Sequence, residues 1–297
     1  MNVHAIWIPI EHYQIQADLY GNFGDQHRDV IIMAHGLGGE KKCGLSIFAE
    51  FYVRLGYNVC VFDHRGFGES TGKFKNLVDK NSQISDWKAV IHFLKHNFEI
   101  RNKNIILWGY SFSGAHVLTL ASEQKFKGII ANFPHVDGLA SLTLYPKKYL
   151  LPATLIAIQD LCYATVGKIK TMPVVSSNRF AILAGEDCYD GYYSIVPEHA
   201  KWDNAVPARI VATIGLYRPT AVVDRIETPT LVLGAEKDSL IPISATRKMV
   251  KKIPQGQYYE LSCGHFDLFH DPFKSEIIQQ HQHFLQTLGA SKLHIVT

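Results

Sequence analysis

Short β-branched runs alternate with helical patterns along most of the chain, and this rhythm restricts the possible folds more than any other property of its 297 residues. Residues 30–34, 57–62, 105–108, 128–131 and 230–233 are apolar runs bounded by turn residues, the pattern of buried parallel strands. Between them lie helical repeats. Ile84, Trp87, Ile91, Leu94 and Phe98 recur at three- and four-residue steps and so share one face of a helix. Near the end, Asp271-Pro272 reads as an N-cap followed by proline at the first helical position, ahead of Ile277, Ile278, His281, Phe284, Leu285 and Leu288. Strands alternating with helices predict an α/β fold, with a mostly parallel central sheet covered by helices on both faces. The opening residues 5–19 alternate more like an antiparallel edge.

Residues 138–220 break the rhythm. Pro146, Pro152, Pro173, Pro197, Pro207 and Pro219 punctuate this stretch, and tyrosines crowd it at Tyr189, Tyr192 and Tyr193. It reads as a cap inserted over the edge of a core made of residues 1–137 and 221–297. Lys147-Lys148 and Lys168-x-Lys170 read as its exposed surface, and its aromatics as either pocket lining or internal packing.

Composition narrows the function. With 30 Lys+Arg against 27 Asp+Glu, the net charge of +3 is too mild for an electrostatic nucleic-acid binder. Cys43, Cys60, Cys162, Cys188 and Cys263 are odd in number and scattered, which fits a reducing compartment rather than a disulfide framework. No secretory leader pattern opens the chain, and every apolar run is shorter than the roughly 20 residues of a membrane helix. A cytoplasmic protein with no membrane span is expected; oligomeric state is not legible.

The chemistry concentrates in turns that follow strands. Gly109-Tyr110-Ser111-Phe112-Ser113-Gly114 follows one strand and opens a helix. A serine on such a sharp turn presents its hydroxyl at the carboxyl edge of the sheet and at the positive end of the next helix. The usual pattern is Gly-x-Ser-x-Gly; here Ser113 takes the second glycine's place. His35-Gly36-Leu37-Gly38-Gly39 is a glycine-rich loop after a strand, able to aim backbone N–H groups inward, with Leu37 and Phe112 as candidate donors to an oxyanion. It lacks the Gly-x-Gly-x-x-Gly and Gly-Lys-Ser/Thr patterns of phosphate loops. Asp238 and His265 each follow a later strand, in the order Ser, Asp, His.

These segments, with Asp63-His64-Arg65-Gly66-Phe67-Gly68-Glu69-Ser70, resemble the α/β-hydrolase fold superfamily from residue 35 to about residue 288. The resemblance implies a serine hydrolase acting on a small-molecule acyl ester or thioester, with no metal or cofactor. It assigns Ser111 as nucleophile, His265 as general base and then acid, and Asp238 as the carboxylate that orients the imidazole. A neutral histidine base makes hydrolysis rise with pH through about 6 to 7. Asp137 is a second candidate acid, Asp267 a neighbour of the histidine turn, and Asp63 and Arg65 are structural.

Other readings stay open. A peptidase of the prolyl-aminopeptidase type would use the same triad and need an acidic subsite, for which Glu186, Asp187 and Asp190 are candidates. The serine at the elbow argues against dehalogenases and epoxide hydrolases, which carry aspartate there, while haloperoxidase-like chemistry shares the triad. A ligand-binding or inactive member of the fold is the non-enzyme alternative. His92 and His96, four apart, form at most half a metal site and read as a solvated helix face; Cys263 reads as a small apolar filler.

Overall fold

The structure is a computed structural model and describes residues 3–25 and 28–290. Its strands are β1 (Val3–Ile10), β2 (Tyr13–Tyr20), β3 (Val30–Ala34), β4 (Asn58–Phe62), β5 (Ile105–Tyr110), β6 (Gly128–Asn132), β7 (Thr171–Met172), β8 (Val206–Pro207), β9 (Thr230–Ala235) and β10 (Gly256–Leu261). The helices are α1 (Leu45–Arg54), α2 (Lys80–Asn97), α3 (Phe112–Ala121), α4 (Gly138–Leu142), α5 (Lys147–Ala164), α6 (Cys188–Ile195), α7 (Ile210–Ile214), α8 (Ile243–Val250) and α9 (Phe273–Ala290). Among the described residues no helix is long and apolar enough to cross a membrane.

Eight strands form one sheet in the order β1-β2-β4-β3-β5-β6-β9-β10. The opening residues form an antiparallel hairpin, with β2 also antiparallel to β4; the remaining neighbours are parallel. The central strands are continuous apolar runs because both of their faces are covered. Ile31 and Met33 of β3 join an apolar cluster with α1 and α9, whereas Val30, Ile32 and Ala34 join one with α2, α3 and α8. The stripe on α2 buries Trp87, Val90, Ile91 and Leu94, and Asp79 caps that helix by accepting from the Ser82 N–H at 2.8 Å. Helix α9 begins at Phe273, so Asp271 lies one residue earlier than an N-cap would.

The 138–220 stretch adds no strand to this sheet. It supplies α4 to α7 and the small antiparallel pair β7–β8. Its inner side chains, among them Val174, Ile182, Tyr192 and Ile210, merge with the cluster that holds α1 and α9.

Candidate active site

Ser111 is the single residue between β5 and α3, at φ 55° and ψ −114°. That backbone region is unfavourable for a non-glycine residue and persists only where its surroundings over-determine it. Three bonds do so here: the Ser111 N–H donates to the Asn132 carbonyl (2.9 Å), and the Ser111 carbonyl accepts from the N–H groups of His135 (2.9 Å) and Ala115 (3.2 Å). Gly36 is required by close approach, since a Cβ there would come within 2.9 Å of the Ser111 Cβ. The departure at Ser113 has a structural use. Fully buried, its hydroxyl donates to the His35 carbonyl at 2.5 Å and ties the elbow to the glycine-rich loop.

The three residues that follow separate strands meet in space. Ser111 Oγ lies 2.9 Å from His265 Nε2, and His265 Nδ1 lies 2.6 Å from Asp238 Oδ2. The imidazole and the carboxylate are almost wholly buried. Asp238 is held by its other oxygen, which accepts from the N–H groups of Leu240 (2.8 Å) and Ile241 (2.9 Å). The His265 carbonyl accepts from the Tyr110 hydroxyl, and Asp267 fixes the same turn by accepting from the Gly264 N–H at 2.7 Å. Cys263, in this turn, is buried, and burial pushes its thiol pKa up to about 12.

Asp137 lies elsewhere. It caps α4 by accepting from Leu139 and Ala140, and its second oxygen pairs with Arg218 at 2.9 Å. Burial works against its ionisation, but Arg218 and the two amides outweigh that and hold its carboxyl below the usual range. Asp63 and Arg65 brace the neighbouring loop. Asp63 accepts from the Lys41 N–H at 2.6 Å, and Arg65 Nε donates to buried Asp86 at 2.6 Å. Burial pushes the Asp63 carboxyl up to about 7.

Leu37 and Phe112 both border the cleft above Ser111. Phe112 is the first residue of α3, so its N–H has no acceptor within the helix. The Leu37 loop is pinned by the 138–220 stretch: the Tyr192 hydroxyl donates to the Leu37 carbonyl (3.0 Å) and Trp202 Nε1 donates to the Gly38 carbonyl (2.9 Å). The two rings stack with centroids 4.5 Å apart. Tyr192 also borders a smaller recess beside Ser111, but neither Tyr189 nor Tyr193 lines the cleft.

The cleft holds about 810 Å³ of space, part of it open to solvent. Leu142, Leu144, Leu150, Ile182, Val211 and Ile214 form much of its wall, and among the described residues no charged side chain lines it. Glu186 instead pairs with Arg179, Asp187 accepts from the Ser239 hydroxyl, and Asp190 is exposed on α6. Among the polar lining residues that escape sequence reasoning are His135 and Ser141. His135 Nε2 donates to the Tyr217 carbonyl at 3.1 Å, and burial holds its imidazole pKa down at about 4, so the neutral ring keeps Nδ1 as an acceptor. Ser141 borders the cleft with a buried hydroxyl that has no protein partner. Both belong to segments without a motif, and only the position of His135 just after β6 hints at proximity. His92 and His96 stack on the exposed face of α2 with centroids 6.1 Å apart, and no third ligand joins them among the described residues.

A family model described as serine aminopeptidase, S33, matches residues 25–159. The chain is 32% identical over 262 residues to the quorum-quenching protein AidA of Acinetobacter baumannii (strain MDR-ZJ06), covering 87% of this chain and 86% of that protein. It is 30% identical over 133 residues to the thiohydrolase aneE of Aspergillus aculeatus (strain ATCC 16872 / CBS 172.66 / WB 5094), covering 44% of this chain and 41% of that one. In three dimensions it matches the α/β-hydrolase GrgF from Penicillium sp. sh18 with a TM-score of 0.83 at 19% identity, over 98% of this chain and all of that one. A parallel sheet carrying a serine elbow, with relatives of this kind along most of its length, makes the chain a member of the α/β-hydrolase family and the protein an α/β-hydrolase enzyme.

Proposed function

We propose that the protein is a serine hydrolase that cleaves carboxylic esters or thioesters of small molecules through an acyl-enzyme. The observation that carries this reading is the unbroken Ser111–His265–Asp238 chain, at 2.9 and 2.6 Å, opening onto an uncharged apolar cleft. In the proposed reaction His265 Nε2 takes the Ser111 proton as Oγ attacks the acyl carbon. The tetrahedral oxyanion accepts from the Leu37 and Phe112 N–H groups. The imidazolium gives its proton to the departing alcohol or thiol, then activates the water that releases the acid. Asp238 keeps Nδ1 protonated and stabilises the cation. The acyl part lies in the apolar cleft, and the 138–220 stretch serves as a cap over it.

The names of two relatives, a quorum-quenching protein and a thiohydrolase, support a small acyl substrate. The peptidase reading is weaker because no carboxylate lines the cleft to receive a substrate ammonium. A panel of p-nitrophenyl acyl esters, acyl-CoA thioesters and aminoacyl-nitroanilides tests the proposal. Turnover is expected on the first two, with medium acyl chains preferred over acetyl. Turnover of the nitroanilides alone, or of nothing while a fluorophosphonate probe leaves the folded protein unlabelled, would overturn it.

A further inference from the structure

Helix α5 is inside out. Ala153, Ala157 and Asp160, at helical spacing, are its buried residues. The opposite face carries Leu151, Leu155 and Ile158, exposed at 70%, 52% and 50%. These three side chains gain the helix nothing by facing water, because burial is the dominant favourable term available to them. The bias extends beyond the helix: among the described residues, twelve of the sixteen exposed large hydrophobic side chains fall within residues 138–220.

Charge says what covers this face. From Gly138 to Gly185 the sole acidic residue is Asp160, which is buried against Arg209 at 2.6 Å. Lys147 and Lys148 stand exposed at the start of α5, and Lys168 and Lys170 stand exposed beyond its end. Among the described residues none of the four ammonium groups meets a carboxylate, and that of Lys148 rests over the Tyr149 ring at 4.8 Å. Tyr163 is half exposed beside Val166 at the carboxyl end. A second copy packed antiparallel on α5 would bring lysine ends against lysine ends with no acidic partner. An apolar stripe flanked by unpaired cations instead complements a surface that is apolar beneath and anionic above.

We propose that the outward face of α5 is a docking surface for an anionic lipid membrane, with Leu151, Leu155 and Ile158 entering the interface and the four lysines meeting the headgroups. Leu144 and Leu150, part of the cleft wall, are exposed as well.

Co-sedimentation of the full chain with phosphatidylcholine vesicles, with and without phosphatidylglycerol, tests this. Binding to the anionic vesicles is expected to exceed binding to the neutral ones by at least about tenfold, and to fall as salt is raised. Lys147→Glu with Lys148→Glu is expected to weaken it by at least about twentyfold, at roughly fivefold per lysine. Leu151→Asp with Leu155→Asp is expected to abolish it, with an unchanged melting curve and unchanged hydrolysis of a soluble ester. The proposal is overturned if the wild type stays in the supernatant, or if the aspartate pair still sediments with vesicles. Light scattering that shows a wild-type dimer dissociated by the same pair assigns the face to a second copy and equally overturns it. The sedimentation and light-scattering readouts do not depend on the protein being an esterase.

Discussion

Two Asp–His–Ser chains run through this molecule within two residues of each other. One joins Asp238, His265 and Ser111 at 2.6 and 2.9 Å; the other joins Asp86, His64 and Ser113 at 3.2 and 3.4 Å. Both use a buried imidazole and a buried carboxylate, so residue type and hydrogen-bond connectivity do not separate them. What separates them is the hydroxyl. Ser113 is fully buried and already donates to the His35 carbonyl, whereas Ser111 borders the cleft and meets only its imidazole. Asp86 is further engaged by Arg65, which makes its chain a brace between loop and helix. A nucleophile is recognised by a free, reachable hydroxyl, and residue type with hydrogen-bond connectivity alone would have admitted either serine.

The largest effect expected from this contrast is at the two serines. Ser111→Ala should lower kcat on a p-nitrophenyl ester by roughly 10⁴- to 10⁶-fold and abolish fluorophosphonate labelling. Ser113→Gly should keep labelling and hold kcat within about tenfold, losing about 1 kcal/mol of stability in urea unfolding. The reverse outcome would transfer the nucleophile to the brace. Next come the carboxylates. Asp238→Asn should cost roughly 10⁴-fold in kcat by favouring the wrong imidazole tautomer. Asp137→Asn should leave kcat within a few-fold and cost about 1 kcal/mol through its weakened cap and lost ion pair. Equal kinetic losses would return Asp137 to candidacy.

The smallest expected effect concerns the buried histidines around both chains. Burial holds His35 and His135 at about 4 and His281 at about 3, and drives His116 well down. Their folded pKa values lie below the unfolded value of 6.5, so the unfolded chain binds more protons between those limits. Their neutrality therefore stabilises the fold above pH 6.5 and ceases to do so as pH falls toward 4. Asp63 opposes them: raised to about 7 by burial, it binds a proton in the folded state across much of that window and gains stability on acidification. Four histidines against one carboxyl predict a melting midpoint at pH 5 lower than at pH 7, on the order of 5 °C. A midpoint that rises at pH 5 would show that Asp63 and the carboxyls behind it dominate.

Much of this architecture was legible in the chain because the central strands bury both faces and so appear as unbroken runs such as 30–34 and 105–108. The elbow was legible because only small residues fit its crowded turn. Asp137 and Asp238 both lie between Ser111 and His265, so the preference for Asp238 came from resemblance and not from order, and the fate of Asp137 was not legible: its partner Arg218 lies 81 residues away, and no local pattern announces that. Residues 138–220 resisted reading for a different reason. Helix α5 carries Pro152 within it and turns Leu151 and Leu155 outward, which inverts the amphipathic rule by which surface helices are found. The aromatics of this stretch, left between pocket lining and packing, divide: Tyr145 lines the cleft, whereas Tyr192 and Trp202 hold the 37–38 loop.

That last tie has an engineering consequence. Because two side chains of the 138–220 stretch hold the Leu37 and Gly38 carbonyls, a chimera that replaces this stretch with another enzyme's segment would also unmoor the loop proposed to receive negative charge. Grafts that keep Tyr192 and Trp202 inherit a set loop along with a new selectivity; grafts that discard them must supply a replacement anchor before any change in preference can be measured.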